Sequence, residues 1–456
     1  MTTWIGAAEA AERLGIKQAS LYSYVSRGVL TRRRGQGGRV SLFNASEVES
    51  LARRGRPRRA AASAELIIES ALTEITDDRL RYRGLDALEL AVGRPFEDVA
   101  MLLWTGTLSG TGTPGGCGPA DRAGPGGGGA APPWPPPAGP APAWQATAEA
   151  VAAARAAQAA LPADTLPLER LQVIVPAMAA TDRLRLHLDR PAVIAAARAM
   201  IAGMVDSLPS AAAGRSTGTG GATGNGSSGA PSGSGASGQA CADGAAIAAR
   251  LAARLSPRPL GPGLTGALRA ALVLLADHEL AASTLAARVA ASMRADPYAV
   301  VGTGLGAVGG ALHGGASLGA EVMLASAAGP QDAQQVVGDL LRRGERIPGF
   351  GHFVYRSGDP RAMLLLRLTE QAAPQSPRLA VAQAVAAEAR RRALPEPNID
   401  FALAVLAGVA GMIPGASEAV FAVARTAGWL AHAIEEYARD TPIRPRGVYT
   451  GPPPQA

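Results

Sequence analysis

Cysteine, histidine and aromatic residues are all scarce in this chain of 456 residues. Its two cysteines, Cys117 and Cys241, both fall in low-complexity stretches, so they suggest neither a disulfide framework nor a metal site. Aromatics supply 4% of the residues, while hydrophobic residues supply 47%, much of it alanine. That balance favours closely packed helices over an aromatic-rich sheet. A run fit to cross a bilayer is also missing. Residues 297–320 lack acids, Lys and Arg but carry eight glycines and a histidine. Residues 401–416 are few for a span and include three glycines and a proline. The N-terminus has no basic-then-apolar signal pattern, so a cytoplasmic protein is expected, with no membrane partner. The length allows two or three domains and a large buried core.

The net charge of +7 is unevenly placed. Residues 1–60 hold twelve Lys/Arg against four Glu, a local +8, so the remainder is close to neutral at about −1. Two low-complexity stretches interrupt the rest. Thr107 to Ala143 is mainly Gly, Pro and Ala, and Leu208 to Gly244 is a Gly/Ser/Thr/Ala run. Neither carries enough apolar surface to offset the entropy of ordering, so both read as mobile surface inserts, 107–143 and 208–244. The Pro132 to Pro137 segment suits a stiff spacer better than an SH3-type ligand.

Apolar residues recur at three- and four-residue spacing over Thr147 to Ala159, Pro191 to Val205, Leu264 to Met293, Asp332 to Arg343, Pro377 to Arg392, Phe401 to Met412 and Ser417 to Arg439, and residues 61–107 also look helical. Strand-like alternation is confined to Arg39 to Phe43. The expected fold is mostly α. In the basic module, Ala7 to Leu14 and Gln18 to Val25 read as two helices, each closed by a glycine. Arg32-Arg33-Arg34 and Arg39 to Phe43 read as a hairpin or wing, and Ser46 is placed to cap a third helix. The module, residues 1–60, resembles the winged helix-turn-helix of the MerR and excisionase families through Ala7 to Ala11 and Leu21 to Gly28. On that reading Ser20, Tyr22, Ser26 and Arg27 face phosphates or base edges, while Arg32, Arg33, Arg34 and Arg39 contact the DNA backbone. The alternative is a module that packs against the body or mediates assembly, its arginines merely solvated.

Three residues of the C-terminal third carry the clearest chemistry: His313 in Leu312-His313-Gly314-Gly315, His352 in Gly349-Phe350-Gly351-His352, and Asp400 in Pro397-Asn398-Ile399-Asp400. A carboxylate that takes a proton, with two imidazoles to steady or deliver charge on oxygen, suits proton abstraction next to a carbonyl. Taken singly, each has a plainer reading. Asp400 before an apolar run has the look of a helix N-cap. His313 fits a satisfied core histidine, His278 a surface charge cluster, and Arg425 and Arg444 ordinary surface cations. His187 and His432 read as structural.

The motifs follow one another in a family's order. Tyr82-Arg83-Gly84, Phe96 to Ala100, Ala276 to Leu280, Gly310 to Ala316, Pro348 to Arg356, Asp359 to Ala362, Pro397 to Phe401 and Ile443 to Arg446 together resemble the citrate synthase family from about Arg81 to Gly451, the inserts excepted. The resemblance implies a citrate synthase-like body over 61–456, with a large helical domain (61–314 and 416–456) and a smaller helical one (315–415). It implies that Asp400 removes a methyl proton from acetyl-CoA, that His313 stabilises the enol(ate), and that His352 polarises the ketone of oxaloacetate. By the same resemblance His278, Arg361, Arg425 and Arg444 hold the oxaloacetate carboxylates, Arg444 from the second subunit of a homodimer. Pro348, Gly349, Phe350, Gly351 and Arg356 would contact CoA, and no metal or tightly bound cofactor is implied. The implied reaction is acyl transfer to give citrate and CoA. The rivals are 2-methylcitrate synthase acting on propionyl-CoA and a DNA-binding regulator that senses an acyl-CoA or keto acid. The family often has asparagine where Ala281 and Ser317 stand.

Overall fold

The computed structural model describes residues 3–14, 21, 25, 30–34, 41–49, 67–108, 144–212, 246–310, 315–439, 441–447 and 449–451. It divides into two compact units, Met1–Glu69 and Ser70–Ala456.

The N-terminal unit has a three-stranded antiparallel sheet with Ser41–Asn44 in the middle, flanked by Trp4–Gly6 and Arg32–Arg34. Phe43 sits opposite Ile5 on one side and Arg32 on the other. Ile5, Phe43, Ala10, Ala11, Leu21 and Val48 make a small core. The expected helix Ala7–Leu14 is present, with its two buried alanines on the core side. The strand Trp4–Gly6 was not expected, because three residues are too few to show alternation. Leu21 and Val25 are helical, and Arg32 and Arg33 are exposed. Ser20, Tyr22, Ser26, Arg27 and Arg39, and the side chain of Arg34, lie outside the described residues.

The second unit is mostly helical, with one correction at its start. Residues 73–86, expected to be helical, form a second antiparallel sheet of Thr73–Thr76, Arg79–Tyr82 and Leu85–Asp86. The turn explains it. Asp77 and Asp78 both take left-handed backbone angles, φ 53° and 57°, which bend the chain into a two-residue hairpin that no helix tolerates. Four-residue strands are too short for their period to stand out from the sequence.

A second correction falls on Leu264 to Met293. The run is two helices, Pro262–Leu275 and Ala282–Ser292, separated by a bend. Glu279 adopts φ 50° in that bend. The hydroxyl of Tyr82 lies 3.0–3.2 Å from the carbonyls of Val273, Leu274 and Asp277, which places its one proton among the acceptors left where the first helix stops. Helices not separately foreseen are Pro167–Ala179, Ile247–Leu255, Pro297–Val308, Gly315–Ser326 and Pro360–Ala372. Apart from residues 107–108 and 208–212, the two low-complexity inserts lie outside the described residues, and so does the spacer reading of Pro132 to Pro137. Among the described residues no helix is long and apolar enough to cross a membrane.

Two apolar cores fill this unit, and one helix serves both. In Ile399–Ala410, Ile399, Ala402, Leu403 and Leu406 join the larger core, while Phe401, Ala404 and Val405 join the smaller. Two stripes at three- and four-residue spacing on opposite faces place its first turn at the seam. The helix Ala416–Tyr437 is buried along its length except at Glu435. Two glycines let it sit so deep. A Cβ at Gly304 would meet the Trp429 ring at 2.6 Å. One at Gly428 would meet Ala276 O and Asp277 Oδ1 at 2.4 Å.

Candidate active site

The bend between Pro262–Leu275 and Ala282–Ser292 carries Asp277 and His278. Neither is on the surface: Asp277 is wholly enclosed and His278 is buried. His278 Nε2 lies 3.1 Å from the Tyr355 hydroxyl. The His278 ring stands edge-on to that of His352, with centroids 5.3 Å apart. Burial first, then Arg361 and Arg425, lowers His278 well below the usual imidazole range.

His352 sits on the loop before Pro360–Ala372. Its Nδ1 accepts from the backbone N–H of Val354 at 3.0 Å and of Tyr355 at 3.3 Å. The neutral ring therefore carries its proton on Nε2, and that nitrogen lies 3.3 Å from Arg361 Nη2. Two donors converging in this way mark the place where an acceptor oxygen fits. Burial and Arg361 lower His352 to about 4, so the ring is neutral near pH 7.

Arg361 is held by Asp359, which accepts from Nε at 2.9 Å and from Nη2 at 2.8 Å. Asp359 also accepts the backbone N–H of Ile399 at 3.0 Å. One carboxylate thus ties the guanidinium to the helix that carries Asp400. Burial opposes its ionisation, but Arg361 and these donors hold Asp359 below the ordinary carboxylate range. Arg425 is likewise buried. Its Nε donates to Leu275 O at 2.8 Å and its guanidinium lies 4.7 Å over the Phe421 ring. Among the described residues Arg361 Nη1 and both Arg425 Nη atoms have no hydrogen-bond partner. Two buried cations with donors to spare suit a doubly charged anion.

Asp400 is not the N-cap of its helix. Asn398 is, accepting from the backbone N–H of Asp400 at 3.0 Å and of Phe401 at 3.4 Å. The Asp400 side chain is left for other work, and Ser317 donates to its Oδ1 at 2.5 Å. Burial raises the Asp400 carboxyl despite Ser317 and Arg361, which pull it down. The helix dipole, which favours the charged form, does not reverse that direction. Asn398 also fastens the glycine-rich loop: Nδ2 donates to Gly351 O, and its N–H donates to Gly349 O, both at 2.8 Å. Gly349, at φ 80°, packs so closely that a Cβ would meet Phe401 N at 2.9 Å. Phe350 stacks edge-on to Phe401 with centroids 4.9 Å apart.

The residues placed together are therefore His278, His352, Arg361, Arg425 and Asp400. The last is tied to the set through Asp359, which accepts from Arg361 and from the Ile399 N–H that opens the helix of Asp400. Arg356 and Arg444 are exposed, the latter on an extended segment whose Ile443 N–H donates to Ser292 Oγ at 3.1 Å. His313 lies outside the described residues. Sequence reasoning assigned nothing to Tyr355, Asp359 or Asp277, although all three sit in motifs it quoted. Of the two departures from the family pattern, Ser317 is the partner of Asp400. Ala281 is the N-cap position of Ala282–Ser292 and makes no side-chain cap bond.

Two buried arginines with donors to spare, two imidazoles held below their usual range and a carboxyl raised by burial thus lie in a two-core helical body. The family model described as citrate synthase, C-terminal domain, matches residues 141–446, and the chain belongs to that family. It is 39% identical over 196 residues to citrate synthase 2 of Bacillus subtilis, covering 41% of this chain and 52% of that protein. It is also 39% identical over 185 residues to the citrate synthase of Haloferax volcanii, covering 40% and 49%. The aligned chain thus spans about half the length of the curated relatives it matches. The fold is shared with the Thermotoga maritima citrate synthase (TM-score 0.62, 24% identity, 87% of this chain and 96% of that one). It is shared too with the Thermoplasma acidophilum enzyme in ternary complex with carboxymethyl coenzyme A and oxaloacetate (TM-score 0.63, 23% identity, 87% and 96%).

Proposed function

We propose that this protein condenses acetyl-CoA with oxaloacetate and hydrolyses the product to citrate and CoA. The observation that carries the reading is a buried, Ser317-bonded Asp400 on a helix that Asp359 ties to Arg361, whose Nη2 converges with His352 Nε2. Asp400 takes a proton from the acetyl methyl group. The enolate carbon attacks the ketone carbon of oxaloacetate, and the ketone oxygen, bonded by His352 Nε2–H, becomes the hydroxyl of citryl-CoA. Water then adds to the thioester carbonyl and CoA leaves as a thiol. Arg361, Arg425 and His278 grip the carboxylates. His313 supplies enolate stabilisation by the family resemblance, and Arg444 completes the site from the partner in a homodimer. Pro348 to Gly351 and Arg356 contact CoA. An enolate this unstable needs its donors fixed in advance in a water-poor pocket, and the buried network fits that requirement. Closure of a small domain, 315–415, on a large one would exclude water.

Propionyl-CoA differs by one methylene, which is worth only about 1–3 kcal/mol of discrimination. A thiol-release assay with oxaloacetate and a panel of acyl-CoAs decides between the two substrates. Asp400→Asn should lower kcat by about 10²- to 10⁴-fold. Wild-type protein without turnover overturns the enzymatic reading and leaves the ligand-sensing regulator.

The N-terminal module, read as a winged helix-turn-helix over 1–60, would tether the enzyme to DNA. Exposed Arg32 and Arg33 on a strand paired with Ser41–Asn44 support that reading. Deleting 1–60 should then abolish salt-sensitive DNA binding while citrate formation persists.

A further inference from the structure

Behind the candidate site, starting from Arg425, runs a chain of buried groups whose other members the proposed chemistry does not use. Along the helix Ala416–Tyr437, Arg425, Gly428, His432 and Glu435/Glu436 recur at three- and four-residue spacing and so share one face. Arg288, fully enclosed on Ala282–Ser292, lies against that face. Its Nε donates to Glu436 Oε1 at 2.7 Å, and its Nη1 donates to Glu435 Oε2 at 2.8 Å. Nη1 also lies 2.6 Å from His432 Nδ1. Arginine only donates, so Nδ1 accepts and the imidazole proton sits on Nε2. That nitrogen is 3.3 Å from both oxygens of Asp277. Thr73 Oγ1 donates to Asp277 Oδ2 at 2.5 Å, and Asp277 Oδ1 has no hydrogen bond of its own.

We infer that Arg288, His432 and Thr73 are positioning residues for the diacid-binding half of the site, acting through Asp277. The inference rests on the proposed function. Asp277 is the residue before His278, in a bend with no helical hydrogen bonds, where the Tyr82 hydroxyl meets its backbone and its side chain adds the tie that helps fix where His278 emerges. Its carboxylate is also the countercharge that Arg425 lacks in direct contact. Burial works against ionisation of Asp277, but His432, Arg425 and Thr73 together hold it below the ordinary range. Gly428 completes the device by admitting Asp277 to the helix surface, where any side chain would strike Asp277 Oδ1. The histidine is a relay: Arg288 sets its tautomer, the tautomer aims a donor at Asp277, and Asp277 sets His278 and balances Arg425. Carboxylate–histidine pairs orient ligand-binding groups in this manner elsewhere.

The test compares His432→Leu, His432→Gln and Thr73→Val in the full-length protein. Steady-state KM values are measured for oxaloacetate and acetyl-CoA separately, with oxaloacetate affinity by calorimetry. Losing a hydrogen bond to a buried charge predicts an oxaloacetate KM about ten-fold higher in His432→Leu. Thr73→Val should raise it severalfold, while the KM for acetyl-CoA at saturating oxaloacetate stays within about two-fold. His432→Gln, whose amide N–H reaches the position of Nε2, should restore most of the affinity. If His432→Leu does not fold, Thr73→Val and His432→Gln carry the comparison. Unchanged oxaloacetate affinity in folded variants, or equal losses for both substrates with no rescue by glutamine, overturns the relay. Wild-type protein that makes no citrate instead removes the functional reading on which the relay depends.

Discussion

Replacing Ser317 with alanine isolates the setting of the proposed base. The Ser317 hydroxyl donates to Asp400 Oδ1 at 2.5 Å and is wholly buried, so water does not readily replace it. Hydrogen bonds to charged groups contribute about 1.5–3 kcal/mol, and about 1.4 kcal/mol is ten-fold in proton affinity. Ser317→Ala should therefore raise the proton affinity of Asp400 about ten-fold or more. The sign follows from the groups around it. Burial already pushes Asp400 up, Asp359 adds negative charge, and Ser317, Arg361 and Arg425 oppose them. Removing Ser317 deletes one of the opposing groups. Catalysis needs the ionised base, so the acidic limb of the kcat/KM profile must move to higher pH, with the plateau at high pH much less affected. Stability changes with the same sign. A carboxyl whose folded-state pKa is raised contributes most below its unfolded pKa and loses that contribution as pH rises through the folded value, and in Ser317→Ala the loss extends to higher pH. The assay is a pH series of kcat/KM by thiol release, beside thermal unfolding at each pH. An unmoved acidic limb in folded Ser317→Ala protein would refute the assignment of Asp400 as the titrating base.

Two further outcomes follow from the same geometry. Arg361→Leu strands the buried Asp359 carboxylate without its cation, so unfolding free energy in denaturant titrations should fall by about 3–5 kcal/mol, together with loss of oxaloacetate binding. Gly349→Ala forces an unfavourable positive φ and a contact with the Phe401 backbone, and should cost about 1–3 kcal/mol by the same titration while raising the KM for acetyl-CoA.

The helical body was legible because its apolar residues repeat over long windows, and both faces of Ile399–Ala410 can be read that way. What escaped was local and set by backbone angles. The hairpin at Asp77-Asp78 and the bend at Glu279 depend on left-handed residues that carry no glycine to announce them. The candidate site was legible as motifs in order, which brought out His278, His352, Arg361 and Asp400, while Arg425 was named only by the family resemblance. Its supporting groups were not, because nothing in a sequence says that Ser317 reaches Asp400 across 83 positions or that His432 reaches Asp277 across 155. His432, read as merely structural, matched no motif, so only its neighbours in space reveal what it touches.

Asp359 serves two masters. The oxygen that receives Arg361 Nη2 also receives the first amide of the helix behind Asp400, so a guest drawing on that guanidinium pulls on a carboxylate which itself anchors the base. On the proposed function, affinity and turnover would meet at this one side chain. A mutant such as Asp359→Asn should therefore show both parameters moving together, and a kinetic survey that sorted residues into binders and catalysts would find no column for it.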